Sequence, residues 1–206
     1  FVILPGSKQT IKDKMFLEDS GISKDLKDYS ANSGYIFGIC GGMQILGTIL
    51  NDPYFKEGSE HNGVDIIKGI GLLPLKTKFN RKKITKRIKS ESIWPCSSKI
   101  NGFEIHNGKT VLDRTLKDFR PNPIFKDANL GWYMENKKGG IIAGTYIHGI
   151  FENDIWRESY INLIRKNKNL PKLVKKTKPY KIKRDLIINN LAYEFEKHLN
   201  LSQLLN

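Results

Sequence analysis

The stretch Gly38-Ile39-Cys40-Gly41-Gly42-Met43-Gln44 sets a cysteine among glycines, directly after the apolar run Tyr35–Phe37. A strand that turns sharply into a helix strains the residue at the turn, and neighbouring side chains would collide with it unless they are glycines. From Met43 to Leu50 apolar residues recur at helical spacing, so Cys40 would lie at a helix N-terminus, where free N–H groups favour a thiolate. The pattern predicts a cysteine nucleophile, and a small buried cysteine in a glycine-rich turn is the alternative.

The flanking residues predict a single α/β domain, residues 1–206. Residues 1–4 are predicted to form a strand that ends in the turn 5–7, and a helix follows from Thr10 to Leu17. Residues 35–39 form a second strand, and the buried run 141–147 forms another that ends at His148. Because strands alternate with glycine turns and helices, we expect a parallel sheet with reactive groups at the carboxyl ends of its strands.

Two further regions depart from this alternation. From Gly63 to Ser90 lysines alternate with apolar residues, which predicts antiparallel strands at an edge of the sheet. Residues 165–185 form a basic connector rich in proline and lysine, and residues 186–200 are predicted to form a C-terminal helix with one apolar face.

The chain is strongly basic, with 35 Lys and Arg against 21 Asp and Glu and a net charge of +14. Most of the excess lies in two blocks, residues 78–89 and 165–184. Among these basic residues Tyr180 stands almost alone as an aromatic residue, which argues against nucleic-acid binding. We expect a solvated lysine-rich surface that attracts an anionic substrate or partner.

Composition also bears on the compartment. No stretch approaches the ~20 apolar residues of a membrane span, and no signal-peptide pattern is present. Cysteine occurs twice, at Cys40 and Cys96, and a nucleophilic Cys40 would leave no structural disulfide. We therefore expect a cytoplasmic protein without a membrane partner, in which Cys96 has no special role.

A cysteine nucleophile needs a base, and histidine is the usual one near neutral pH. Of the four histidines, His148 is the best placed, because it ends a buried strand and Gly149 follows it. A histidine satisfied within the core is the alternative. His61 and His198 are expected at the surface.

Acyl chemistry also needs N–H donors for the oxyanion. Gly41 supplies one, and Gly6 or Ser7 at the end of the first strand supplies the second, unless residues 5–7 are only a tight turn. The segment Gly102–Gly108 is predicted to be a structured loop near the site, in which His106 either contacts substrate or braces the loop.

Five ordered motifs together resemble class I glutamine amidotransferase domains, most closely the cobyric acid synthase branch. They are residues 4–8, 38–44, 71–74, 102–106 and 144–149. The resemblance implies a flavodoxin-like three-layer sandwich with a mainly parallel sheet and an antiparallel edge extension. The site roles it implies are nucleophile for Cys40, base for His148, oxyanion hole for Gly6 and Gly41, glutamine binding for Gln44 and Ser7, and an acceptor-side loop for Glu104 and His106.

The chain departs from the wider class at one position. Many class I amidotransferases carry a glutamate two residues after the histidine, where this chain has Ile150. The cobyric acid synthase branch lacks that glutamate as well. Glu152 is the candidate to orient the His148 ring, by proximity in sequence alone.

The resemblance also implies partners. The domain would use glutamine and need no cofactor or metal of its own, while ATP and Mg²⁺ are expected in an N-terminal synthetase domain that amidates a corrinoid carboxylate. Two alternatives stay open. One is an amidotransferase for another acceptor, such as a cell-wall lipid precursor or cobyrinic acid, and the other is a non-catalytic basic binding module.

Overall fold

The computed structural model describes residues 1–57, 65–116, 120–173 and 178–199. Its helices are α1 (Thr10–Asp19), α2 (Ile22–Ala31), α3 (Gly41–Leu46), α4 (Asp154–Asn167) and α5 (Tyr180–His198). Its strands are β1 (Val2–Leu4), β2 (Tyr35–Ile39), β3 (Ile49–Asn51), β4 (Ile66–Lys68), β5 (Leu75–Ser92), β6 (Ser98–Leu112), β7 (Asn122–Pro123), β8 (Gly131–Glu135), β9 (Ile141–Thr145) and β10 (Ile147–His148).

The first sheet has the order β1-β2-β9-β8-β7. Strands β1, β2 and β9 are parallel, whereas β8 and β7 join antiparallel at one edge. On one side of this sheet Phe37 packs edge-to-face against Trp156 and Tyr160 of α4, and all three side chains are fully buried. The parallel centre with an antiparallel edge confirms the predicted α/β architecture.

The second sheet has the order β10-β6-β5-β3-β4, and the long antiparallel pair β5/β6 forms most of it. The antiparallel pairing predicted for residues 63–90 is present in part: β5 pairs antiparallel with β6, but it builds a separate sheet rather than an edge of the first. Gly63, where that prediction began, lies outside the described residues.

Strand β10 passes from the first sheet to the second. The chain leaves β9 after Thr145, whose hydroxyl donates to the Leu130 carbonyl at 2.7 Å and accepts from the Ile147 N–H at 3.0 Å. This side chain replaces the ladder partner of Ile147, so the strand breaks and pairs with β6 instead. His148 therefore sits on the second sheet and not at the end of the predicted strand 141–147.

Several predicted helix limits were wrong. The helix expected over 43–50 ends at Leu46, and residues 49 and 50 enter strand β3. Helices α2 and α4 were not predicted. In α2 two of the three buried residues are Ser23 and Ser30, small polar residues that do not mark a buried face in the sequence.

The C-terminal region also differs from its prediction. Helix α4 continues to Asn167 and α5 begins at Tyr180, so the connector predicted over 165–185 is shorter, and its residues 174–177 lie outside the described ranges. Pro179 precedes the first turn of α5, a place where its missing N–H costs nothing. No residue of α5 is buried, so the expected apolar face has no packing partner among the described residues. None of the described helices is long and apolar enough to cross a bilayer.

Close backbone packing around Cys40 requires glycine. A Cβ added to Gly42 would lie 2.1 Å from the Leu4 carbonyl oxygen, and one added to Gly38 would lie 2.5 Å from the Met43 nitrogen. Both contacts are with main-chain atoms, which cannot turn aside as a side chain can. The glycines are therefore required by the approach of α3 to β1 and β2.

We expect Gly42→Ala to lower the free energy of unfolding by about 3 kcal/mol, because Leu4 and α3 must move apart to admit the methyl group. Urea denaturation of the variant and the parent measures this. Gly71→Asn is the matched control, since Gly71 has a φ of +81° and open space around it, and asparagine tolerates that conformation. Equal stability of Gly42→Ala and the parent would contradict this account of the packing.

Candidate active site

Cys40 lies at the turn between β2 and α3 with φ 52° and ψ −109°. This positive φ is the strained conformation that the sequence predicted, and it is held by the Cys40 N–H, which donates to the Thr145 carbonyl at 2.7 Å. The residue is 5% exposed. The turn therefore presents one thiol at the carboxyl end of the central parallel strands.

His148 approaches the same point from the second sheet. Cys40 Sγ donates to the Ile105 main-chain carbonyl at 3.3 Å, and His148 Nε2 lies 3.2 Å from the same oxygen. The thiol and the imidazole are not hydrogen-bonded to each other. The structure thus gathers the two predicted catalytic side chains around one carbonyl of β6.

The predicted oxyanion donors surround the pair. A Cβ on Gly6 would lie 3.1 Å from His148 Cε1 and 3.8 Å from Cys40 Cβ, so the Gly6 backbone rests against both side chains. The Gly41 N–H lowers the pKa of the Cys40 thiol. A Cβ on Gly41 would lie 2.9 Å from the Ser7 nitrogen. The turn after β1 and the start of α3 therefore form one wall of the site.

Burial raises the pKa of the Cys40 thiol to about 11. The Gly41 N–H stabilises the thiolate and opposes this effect, the Glu57 carboxylate adds to it, and Lys83 weakly opposes it. The expected thiolate is thus not the resting form, because α3 has only six residues and desolvation outweighs its free N–H groups. Ionisation of the thiol requires a proton acceptor or a change in its surroundings.

Without glutamine, alkylation of Cys40 by iodoacetamide should be slow at neutral pH and should rise about tenfold per pH unit up to about pH 11. The reason is that only the thiolate reacts, and its fraction grows tenfold per unit below the pKa. The measurement is the rate of adduct formation by mass spectrometry in a Cys96→Ala background, which leaves a single thiol. A rate already on its plateau at pH 7 would contradict the raised pKa.

Gln44 and Ser7, the predicted glutamine-binding residues, both have partners inside the protein. The Gln44 amide nitrogen donates to the Asn107 carbonyl and to the Tyr146 hydroxyl, each at 3.1 Å, and the side chain is buried. The Ser7 hydroxyl donates to Asp13 and accepts from the Gln9 N–H at 2.9 Å. Gln44 thereby connects α3 to Asn107 of β6 and to Tyr146. Ser7 fixes the turn that follows β1.

Glu104 and His106 lie in strand β6, not in the predicted loop. Both are buried, at 7% and 5% exposure, and His106 Nε2 donates to Glu104 Oε1 at 2.9 Å. Lys86 Nζ of β5 lies 2.9 Å from Glu104 Oε2. The His106 ring stacks on Tyr146 with 3.6 Å between centroids. Of the two roles considered for His106, these contacts are those of a bracing residue.

Glu152, the candidate to orient His148, does not reach the ring. Its carboxylate lies 3.5 Å from Arg184 of α5. Ile150, at the position where many relatives of the wider class carry glutamate, is fully buried in the core. His198 is exposed at the end of α5, as predicted, and His61 lies outside the described residues. The imidazole of His148 is instead held by the Ile105 carbonyl.

Sequence reasoning missed a buried polar group beside the site. Glu57 is 4% exposed and accepts from the Thr10 N–H at 3.1 Å, the Thr10 hydroxyl at 2.7 Å and the Asn107 amide at 2.7 Å. It thereby ties α1 to β6 around Cys40. No motif signals it, because Glu57 stands in a polar loop whose sequence is that of an exposed turn.

The basic block of β5 is solvent-exposed, as predicted. Residues 81–87 are all exposed, and five of these seven are Lys or Arg.

Within the described ranges, no three His, Cys, Asp or Glu side chains come together as they would around a metal ion.

Residues 1–156 match the CobB/CobQ-like glutamine amidotransferase domain family. The chain is 69% identical over 206 residues to a cobyric acid synthase of Prochlorococcus marinus (strain MIT 9301), and 40% identical over 209 residues to that of Synechococcus sp. (strain CC9311). Each alignment covers all of this chain, and 40% and 41% of the relative. The chain thus spans about two fifths of the length of these relatives.

One solved structure, described as a glutamine amidotransferase, superposes with a TM-score of 0.51. The alignment covers 82% of this chain and 78% of that one, at 14% sequence identity. At this identity the similarity shows the fold alone, and it agrees with the two-sheet α/β arrangement described above.

Proposed function

The chain belongs to the CobB/CobQ-like glutamine amidotransferase domain family, and from this premise we propose that Cys40 and His148 release ammonia from glutamine. The observation that carries the proposal is the shared position of the two side chains, which lie against Gly6 and around one carbonyl. Acyl transfer needs a nucleophile next to a base, and it needs N–H donors that stabilise the oxyanion. The strained thiol, the imidazole and the nearby glycines match these requirements.

The reaction follows in two halves. The Cys40 sulfur attacks the side-chain carbonyl carbon of glutamine after the His148 imidazole takes the thiol proton, so the pKa of about 11 no longer limits attack. The N–H groups of Gly41 and Gly6 stabilise the tetrahedral oxyanion. His148 returns the proton to the departing nitrogen, and ammonia leaves. Water activated by His148 then opens the thioester and releases glutamate.

The remaining residues support this chemistry. Gln44 keeps Asn107 and Tyr146 fixed behind the nucleophile. Ser7, in the turn after β1, and Gln44, in α3, hold the bound glutamine. Burial and the Glu57 carboxylate disfavour a resting thiolate, so the thiol stays uncharged until His148 takes its proton.

The proposal extends to the whole protein. Because the chain spans about two fifths of the cobyric acid synthases it resembles, we infer that the ammonia passes to a synthetase part of the same protein. ATP and Mg²⁺ would there supply the activation of a carboxylate. The acceptor is a corrinoid, adenosylcobyrinic acid a,c-diamide, and the product belongs to cobalamin biosynthesis. The reaction would take place in the cytoplasm, where thiols stay reduced.

Reaction with a glutamine-analogue electrophile tests the glutaminase proposal. We expect 6-diazo-5-oxo-norleucine to add once per chain, on Cys40, and excess glutamine to protect the residue. The exposed basic residues of β5 are the feature that favours a binding module instead. If the protein is such a binding module, neither Cys40 nor Cys96 should be labelled, and this outcome would contradict the glutaminase proposal.

A second experiment tests the acceptor. The full-length protein is supplied with glutamine, ATP and Mg²⁺, together with the a,c-diamide, cobyrinic acid or a cell-wall lipid precursor in turn. Glutamine-dependent amidation of the a,c-diamide alone is expected. Amidation of either of the other two instead would assign the domain to another acceptor.

A further inference from the structure

Within the described ranges, no carboxylate forms a hydrogen bond with the His148 imidazole, although histidine bases commonly have such a partner. Ile150 occupies the position of the usual glutamate, and Glu152 is engaged with Arg184. The ring nitrogen Nε2 instead lies 3.2 Å from the Ile105 carbonyl. A carbonyl can only accept, so this contact requires the proton on Nε2 and leaves the lone pair on Nδ1.

The Ile105 carbonyl is held in place by its neighbours in β6. Side chains two residues apart in a strand share one face, so Glu104 and His106 lie together while Ile105 faces the other way. Glu104 Oε1 accepts from His106 Nε2 at 2.9 Å, and Lys86 of the paired strand lies 2.9 Å from Glu104 Oε2. These contacts fix the main chain on both sides of residue 105.

Tyr146 connects the Glu104–His106 pair to α3 and to the chain that leads into β10. The His106 ring stacks on Tyr146 at an interplanar angle of 16°. Tyr146 precedes the strand β10 that carries His148, and its hydroxyl accepts from Gln44 of α3. The Ile105 carbonyl and the His148 ring are therefore positioned by the same set of buried contacts.

From these contacts we propose that Glu104 and His106 are positioning residues for His148. They hold the Ile105 carbonyl as the acceptor that selects the Nε2–H tautomer, and Nδ1 is then the nitrogen that takes and returns the proton in the proposed reaction. The proposal rests on the proposed glutaminase function, since the tautomer matters only if His148 is the base. Glu104 and His106 are both buried, so neither side chain is accessible to the molecule that would receive the ammonia.

Nuclear magnetic resonance of the ¹⁵N-histidine-labelled chain tests this directly. His148 is assigned by its loss in His148→Gln, and its ring shifts are read at about pH 8, where an ordinary imidazole is neutral. The unchanged chain should show mainly the Nε2–H tautomer. In Glu104→Ala and in His106→Phe, the fraction with the proton on Nδ1 should rise at least about threefold.

Two further variants separate positioning from folding. Glu104→Gln keeps an oxygen acceptor for His106 and should keep the parent tautomer. Glu91→Gln alters a carboxylate of the same hairpin that pairs with Lys126 at 2.6 Å, away from the site, and should change nothing. Should Glu104→Ala fail to fold, His106→Phe, which retains the ring stack on Tyr146, carries the test.

Kinetics of the full-length protein give the second readout. Glutaminase kcat should fall about tenfold in Glu104→Ala, with KM for glutamine changed less than about twofold. A parent His148 ring with its proton on Nδ1, or an unchanged tautomer in a folded Glu104→Ala or His106→Phe, would overturn the proposal. Absence of glutaminase activity in the parent protein would instead overturn the proposed function, while the tautomer measurement would still decide the positioning role.

Discussion

Replacing Cys40 with alanine should remove glutaminase activity, with kcat at least about a thousandfold below that of the parent protein. Alanine keeps the Cβ, so the turn between β2 and α3 retains its packing while the attacking sulfur is lost. Without a thioester, glutamine can be hydrolysed only by direct attack of water. Glutamate release by the full-length protein, followed with glutamine as the only nitrogen donor, measures the effect.

The control for this change is Cys96→Ala. Cys96 lies between β5 and β6, and its main-chain carbonyl, which the substitution keeps, accepts from the Ser92 hydroxyl at 2.7 Å. Activity should therefore stay at the parent level. With ammonia supplied in place of glutamine, Cys40→Ala should still amidate the acceptor, which separates loss of glutaminase from loss of fold. Retained glutaminase activity in Cys40→Ala would exclude Cys40 as the nucleophile.

Replacing His148 with glutamine should lower glutaminase kcat by about a hundredfold to ten thousandfold. The buried thiol has a pKa of about 11, so without the imidazole very little thiolate forms at neutral pH. Glutamine at position 148 can form a hydrogen bond to Ile105 but cannot accept and return a proton. The loss should therefore shrink as the pH rises toward the pKa of the thiol, because hydroxide can then ionise Cys40.

The matched control is His198→Gln, which alters an exposed histidine at the end of α5. Its kcat and KM should equal those of the parent. A pH–rate profile of His148→Gln between about pH 7 and pH 10 is the deciding measurement. A loss that is independent of pH would assign His148 a role other than that of a base.

Local patterns predicted the reactive turn, because its requirements are met within a few residues. The glycines at 38, 41 and 42 and the apolar run before them specify a strand, a strained cysteine and a helix, and the structure has all three. Alternation predicted antiparallel strands over residues 63–90, where β5 lies, but the segment Gly102–Gly108 of its partner β6 was predicted as a loop. The helices α2 and α4 were not, since their buried residues are few and partly polar.

The electrostatic state of the thiol could not be read from the sequence. A helix N-terminus favours a thiolate, and this was the expectation for Cys40. The structure buries the residue beneath β6 and beside Glu57, so desolvation dominates and raises the pKa. Burial depends on which distant segments cover a residue, and no local pattern contains that information.

The sequence alone singled out Cys40 and His148 as the candidate nucleophile and base, and it predicted the strained turn that carries Cys40, since that turn follows from neighbouring residues and backbone sterics. Only the tertiary structure decided that His148 leaves the first sheet and that the Ile105 carbonyl receives both the thiol and the imidazole. It also showed that Glu104 and His106 are buried behind that carbonyl. A main-chain oxygen has the same chemistry at every position, so only the path of the folded chain can give one of them a special place.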